Sequence, residues 1–250
     1  MHRCYCGFWK TILSLIPTCI WIDPIVAQNY PDTTCKENLR NYTEQVYGLD
    51  DYIFQGRKYR SRNVMANGHP YFNDSKWRDA VIYSHGRDYS GIAIKYDIEL
   101  DMIILQISNA QGKTNIISTE YATIDSFVFD THFFINLHKI NNSISEMGYY
   151  EKVFEGDLLY VVKHKKQFVK NYNSINPYGL YSKQLSTLCI IYGNEMVMCP
   201  NRKLFLHYFN PYEKQIRSFI WQQHIRFRKA NKNDLIILCR YVDELTGMNK

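Results

Sequence analysis

The sequence predicts an α+β protein: an antiparallel β-meander, closed as a barrel or folded as a sandwich, with an N-terminal helix and C-terminal helices packed on it. Three observations carry that expectation. Between Asp51 and Cys199, short runs of β-branched and aromatic residues alternate with Gly, Asn and Asp turns. The chain is rich in tyrosine, with 21 in 250 residues, and tyrosine favours half-buried pleated surfaces. Beyond Pro200 the apolar residues recur at helical instead of alternating spacing.

The first 27 residues read as a leader to be removed. Arg3 and Lys10 precede an apolar run, Thr11 to Ile22, and a cleavage region ends at Ala27, the layout of a secretory signal peptide. The run is shorter than the roughly 20 residues that span a bilayer. Cys19 follows Pro17 and Thr18, where a lipid-attachment cysteine normally follows small residues, so cleavage at Ala27 is preferred. Residues 28–250 then form a single β-rich domain whose part from 200 to 250 is helical. A periplasmic, outer-membrane-associated or secreted location follows, with no transmembrane span in the mature chain.

Thr34 to Tyr47 places Cys35, Leu39, Tyr42 and Val46 on one helical face, and Thr34 with Glu37 fits a capping box. Tyr52–Phe54 and Arg57–Tyr59 read as a tight hairpin around Gln55–Gly56. Ala66 to Lys76 is turn-rich. Ala80–Ser84 and Gly91–Tyr96 follow as strands, joined through His85–Gly86–Arg87–Asp88. Met102–Ser108, Asn115–Ser118, Ser126–Phe129, Phe133–Leu137, Tyr149–Phe154 and Leu158–His164 complete the central set. Lys166 to Tyr181 is a polar loop bearing Tyr172 and Tyr178, a surface suited to contact with a partner. Ser186–Tyr192 and Glu195–Cys199 form a hairpin around Gly193–Asn194. The last elements are helices over Arg202–Phe209, Glu213–His224 and Asn231–Leu245, the third started by the N-cap Asn231.

Four cysteines lie beyond the leader: Cys35, Cys189, Cys199 and Cys239. A three-residue loop in the last hairpin sets Cys189 opposite Cys199 at disulfide distance, and a two-residue loop sets them diagonally. A Cys189–Cys199 disulfide is expected. Cys239 falls on the apolar stripe of the last helix and is expected to pack as core.

Several segments together resemble a known family. Gly68–His69–Pro70–Tyr71–Phe72–Asn73–Asp74 precedes Ile94–Lys95–Tyr96–Asp97–Ile98, then Gly148–Tyr149–Tyr150–Glu151 with Gly156, and later Phe227–Arg228–Lys229–Ala230–Asn231. They resemble an uncharacterised family of exported, strand-rich proteins of Gram-negative bacteria. The chain departs from that pattern at His69, where a small residue is commoner, and in carrying Cys189 and Cys199. The resemblance implies export and a strand-rich fold, and it brings no catalytic residue or cofactor with it.

The chemistry read from the residues is sparse. No P-loop, dinucleotide fingerprint, nucleophile elbow or zinc-protease motif occurs, and no metal or cofactor is expected. The formal charge of +6 favours acidic surfaces such as anionic lipid headgroups or glycans, and export disfavours nucleic acid. Asp130 and His132, two apart on a strand, share a face and could join the distant Asp157 in a hydrolase site. Tyr71 and Trp77, beside Phe72, could stack on sugar rings or plug the end of the β domain. Lys163–His164–Lys165–Lys166 reads as a solvated charge run. The leading expectation is a non-catalytic binding or scaffold module for a glycan or another envelope component, with Tyr71, Trp77, Tyr172 and Tyr178 as contacts. The alternatives are the hydrolase and a carrier of an apolar ligand inside a barrel.

Overall fold

The computed structural model describes Ile53 and residues 56–108, 113–119, 123–144 and 146–247. The leader with Ala27, the helix at 34–47, Cys35 and the turn at 111–112 lie outside the described residues.

Eleven strands form one antiparallel sheet: β1 (Arg57–Lys58), β2 (Arg78–Ser84), β3 (Arg87–Asp97), β4 (Met102–Ser108), β5 (Thr114–Ser118), β6 (Ser126–Phe129), β7 (His132–Asn136), β8 (Tyr149–Glu155), β9 (Leu159–Lys165), β12 (Leu185–Tyr192) and β13 (Glu195–Cys199). Their spatial order is β1-β5-β4-β3-β2-β6-β7-β8-β9-β12-β13. The remaining strands among the described residues, β10 (Phe168–Val169) and β11 (Leu180–Tyr181), pair with each other. The antiparallel sheet is as expected, but it is two sequential runs, β5-β4-β3-β2 and β6-β7-β8-β9-β12-β13, joined where β2 pairs with β6, instead of one continuous meander, and the expected closure is absent. β1 and β13 are the two edges of an open sheet, so the barrel is corrected to a single large sheet, and the only other sheet among the described residues has two strands. One predicted hairpin also fails. β1 pairs with β5 instead of a preceding strand, and Ile53 is helical and buried.

Local chemistry explains the turns. His85 and Gly86 both take positive φ, 50° and 74°, as a two-residue turn between right-twisted strands requires. Gly91, at φ 70°, lies where β3 slips register against β2, a bulge that breaks strict alternation. Gly148 has no substitute: at φ 130° an added Cβ would lie 2.2 Å from both Asp101 Oδ2 and Lys163 Nζ.

One face of the sheet carries two apolar clusters side by side. The first gathers Ile82, Ile94, Tyr96, Ile103, Leu105, Phe127, Phe129, Phe134 and Tyr149; Phe127 and Phe134 stack with ring centres 4.8 Å apart. The second packs Tyr160, Val162, Leu188, Ile190 and Cys199 against the C-terminal helices. These are α2 (Arg202–Tyr208), α3 (Glu213–Gln222) and α4 (Lys232–Gly247); a single helical turn, α1 (Leu137–Ile140), precedes them in the chain. α4 buries Leu235, Leu238, Cys239 and Val242, the expected stripe. Its start is reciprocally capped: Asn231 Oδ1 accepts from the Asp234 N–H at 2.9 Å, and the Asp234 carboxylate accepts from the Asn231 N–H at 3.1 Å. The Asp243 carboxylate then accepts from the N–H groups of Asp157 and Leu158, fastening α4 to the β8–β9 turn.

On the opposite face Cys189 packs with Ile135, Leu137, Ile144, Tyr150, Val161 and Ile191. The disulfide expectation fails on register. Gly193–Asn194 is a two-residue turn with Tyr192 opposite Glu195, which sets Leu188 against Cys199 and Cys189 against Met198. Cys189 and Cys199 therefore project from opposite faces of the sheet, and both thiols are buried and free.

The charge run at the end of β9 is a further correction. Lys163, His164 and Lys166 are all buried. β9 is a central strand covered on both faces, so its polar residues have to find partners inside the protein.

Candidate functional site

The most elaborate polar constellation sits where the two clusters of the covered face meet. The cross-strand pairing sets Phe134 of β7 beside Glu151 of β8, and Glu151 beside Val162 of β9. One pleat further on, His132 and His164 fall on the same face as Glu151. The Glu151 side chain is only 5% exposed. Its Oε1 accepts from His132 Nδ1 at 2.7 Å, and its Oε2 accepts from His164 Nε2 at 2.9 Å. Lys232, from the first turn of α4, brings its ammonium to 3.0 Å from Oε1. Burial opposes ionisation of Glu151, but the hydrogen bonds from His132 and His164 outweigh it and hold the carboxyl well below its usual range.

The remaining nitrogen of His164 fixes its state. Nδ1 faces Ser186 Oγ at 2.9 Å and Gln184 Nε2 at 3.3 Å. An amide NH₂ can only donate, so Nδ1 is the acceptor and Nε2 carries the proton. Burial lowers the His164 pKa despite the carboxylate beside it, and the ring is neutral. Phe72 closes the site. Its ring meets His132 and His164 edge-on, with centres 4.9 and 4.8 Å apart. The Lys232 ammonium pairs with the Glu151 carboxylate. Among the described residues no group of three His, Cys, Asp or Glu side chains is arranged to hold a metal ion.

Two further buried lysines are tied in similar fashion. Lys163 donates to Asp101 Oδ2 at 2.7 Å and to the Tyr149 carbonyl at 3.1 Å. Lys166 donates to the Tyr71 carbonyl at 2.7 Å. Burial lowers the pKa of each.

The surface of the helical layer is organised differently. An open cleft of about 720 Å³ is lined by Asn201, Arg202, Lys203, Ile225, Arg226, Phe227, Arg228 and Lys229. Its five cations are exposed, and among the described residues none of them is in an ion pair. Arg202 and Lys203 also line a neighbouring cleft of about 540 Å³ with Leu204, His207, Glu213 and Arg217; there Arg217 pairs with Glu213. Residues 200–247 hold nine Lys or Arg against four Asp or Glu, so most of the net charge sits on this layer. A cleft of about 410 Å³ near β7 and β8 also contains cations, Lys139 and Lys152, but these are paired with Asp125 and Glu155.

The residues predicted from sequence fall out as follows. Asp130, His132 and Asp157 are not brought together. Asp130 faces Arg78 at 3.5 Å, His132 takes Glu151 as its carboxylate, and Asp157 sits in the β8–β9 turn beside Asp243. The aromatic group divides. Phe72 is buried, whereas Tyr71 and Trp77 are partly exposed and flank Lys95, whose ammonium lies 5.0 and 4.6 Å from their ring centres. Tyr172 and Tyr178 are exposed on the 166–181 loop, which β10 and β11 close and which Asn67 anchors through the carbonyl of Ile175 and the side chain of Asn176. Sequence reading missed Glu151, His164 and the basic cleft. A glutamate and a histidine inside apolar strands were the available signal for the first two, and the excess of cations after Pro200 was the signal for the third.

No helix among the described residues is long and apolar enough to cross a membrane. No family model matches the chain, and neither a curated protein nor a solved structure matches it.

Proposed function

We propose that the chain is an exported, non-catalytic binding module that holds an acidic partner on the basic face of its helical layer. Export rests on the leader pattern of Arg3, Lys10 and Thr11–Ile22. The observation that carries the binding reading is the open cleft lined by Arg202, Lys203, Arg226, Arg228 and Lys229 around Ile225 and Phe227. Exposed cations that make no internal pair add little to the fold, and collected in one cleft they concentrate positive potential where an anion can dock. The test is retention of residues 28–250 on a heparin column. The wild-type chain is expected to be held and to elute with salt, and the double variant Arg202→Glu, Arg226→Glu to pass through while still folded. Equal retention of both would refute the reading.

One observation favours a hydrolase as the second reading: the series Ser186–His164–Glu151, with the neutral imidazole nitrogen facing an exposed hydroxyl. Under it, Ser186 is labelled by a fluorophosphonate probe and His164→Gln abolishes the labelling. Absence of labelling in the wild-type chain removes it. Against this reading, Gln184 already donates to the same nitrogen and Phe72 covers the ring. An apolar-ligand carrier lacks its enclosure, because the sheet is open and its aromatic face is filled by Phe72, Phe127, Phe129 and Phe134.

A further inference from the structure

We infer that the acidic partner of the basic face is the headgroup layer of an anionic lipid bilayer, contacted peripherally; this rests on the binding reading above and names its ligand.

The inference turns on what stands among the cations. Trp221 is 77% exposed and Leu204 44%. Leu204 lines the same cleft as Arg202, Lys203 and Arg217. On α3, Glu213, Arg217 and Trp221 follow at intervals of four, so they form one stripe on the helix. That stripe begins in the cleft with Glu213 and Arg217 and continues outward to Trp221. Arg226, Arg228 and Lys229 follow Trp221 within eight residues and line the adjoining cleft. The surface therefore mixes exposed arginine and lysine with a tryptophan and a leucine.

Each half of that mixture has a use at a bilayer surface. Arginine and lysine are drawn to an anionic leaflet, and tryptophan settles at headgroup level with one end apolar and the other wet. A sulfated polymer such as heparin would reward the cations, but it offers little to Trp221 and nothing to Leu204. A lipid surface accommodates all of them. The contact is peripheral, because no helix among the described residues is long and apolar enough to cross. It also differs from the lining of the smaller cleft by Asp125, Lys139, Lys152 and Glu155, where each lysine is neutralised by a carboxylate.

The experiment is co-sedimentation of residues 28–250 with vesicles of phosphatidylcholine alone, or mixed with phosphatidylglycerol, and heparin retention on the same samples. Binding is expected only to the mixed vesicles, with a blue shift of tryptophan emission that Trp221→Phe removes. Trp221→Ala is expected to weaken vesicle binding about tenfold and leave heparin retention unchanged. Arg226→Glu is expected to weaken both, vesicle binding by at least fivefold. Retention on heparin with no sedimentation on mixed vesicles would overturn the lipid assignment and leave the binding reading standing. Failure on both supports would overturn both. Equal binding to both kinds of vesicle, or vesicle binding indifferent to Trp221→Ala, would also overturn the inference.

Discussion

The charged groups at the Glu151 seam and those of the basic cleft are of the same chemical kinds and are used in opposite ways. At the seam every charge is answered. Glu151 receives His132, His164 and Lys232, and the Phe72 ring packs edge-on against both imidazoles. In the cleft, Arg202, Lys203, Arg226, Arg228 and Lys229 face solvent and are in no ion pair among the described residues. A buried charge that loses its partner is costly, whereas an exposed cation can be removed from the fold with little effect. The seam therefore belongs to the structure of the domain and the cleft to its contacts. The difference can be broken or sharpened by substitution.

The largest effect on stability is expected from Glu151→Leu. It leaves His132, His164 and Lys232 facing an apolar side chain in a buried site, and a loss of about 3–5 kcal/mol is expected from denaturant unfolding, as for a broken buried pair. A loss below about 1 kcal/mol would place the seam among the surface-like charges and erase the contrast. Leu238→Ala follows. Leu238 is fully buried against the second cluster, and truncation is expected to cost about 2–5 kcal/mol. A near-neutral result would show that α4 contributes little packing, and with it the docking of Lys232 on Glu151 would lose its basis.

The pH profile comes next, and its sign follows from three groups. The His164 pKa is lowered from 6.5, so below 6.5 the unfolded chain binds a proton that the folded chain refuses, and stability falls as the pH falls. Glu151 is lowered from 4.5 and adds a loss in the same direction below that value. Asp97 opposes them. Burial, only partly offset by the N–H groups of Leu100 and Glu99, raises its pKa from 3.8 to about 6, so its contribution is present below 3.8 and is lost as the pH rises through about 6. Urea midpoints at pH 4, 5.5 and 7 are expected to rise more steeply with pH in Asp97→Asn than in the wild type, and less steeply in His164→Gln. Parallel profiles would mean that neither group titrates as its surroundings dictate. The smallest stability effect belongs to the cleft: Arg202→Glu with Arg226→Glu is expected to move the unfolding midpoint by less than about 0.5 kcal/mol equivalent.

Legibility in the sequence followed the same division between local and distant causes. The three C-terminal helices start and stop within two residues of expectation, because their apolar spacing and, for the third, the capping residue Asn231 are local signals. Most strands from Ala80 to Cys199 are visible for the same reason, as β-branched runs bounded by turn residues, whereas β10 and β11, two residues each, fall inside the segment read as a polar loop. Closure was not visible, since whether β1 meets β13 depends on accumulated twist and on the step from β2 to β6. The cysteine pairing hinged on one residue of loop length between Tyr192 and Glu195, and a one-residue slip changes the face of every side chain. Glu151 and His164 stand 13 residues apart in sequence. Their meeting, and the burial of Lys163, follow from β9 being central, which no local pattern announces; Lys166, just past β9, is held by the carbonyls of His69 and Tyr71. His132 was singled out with the wrong carboxylate: Asp130 is its neighbour along the chain, and Glu151 is its neighbour across the strands.

The most direct test of the division between an internal seam and a contact surface is thermal unfolding of residues 28–250 with and without heparin, at low salt and at 1 M salt. A ligand that binds the folded state raises the unfolding midpoint by mass action, and at 1 M salt the Debye length falls to about 3 Å. The expected result is a clear rise with heparin at low salt that vanishes at 1 M and is absent from Arg202→Glu, Arg226→Glu. An equal rise in that variant, or no rise in the wild-type chain at any salt concentration, would contradict the assignment of the basic face as the contact surface.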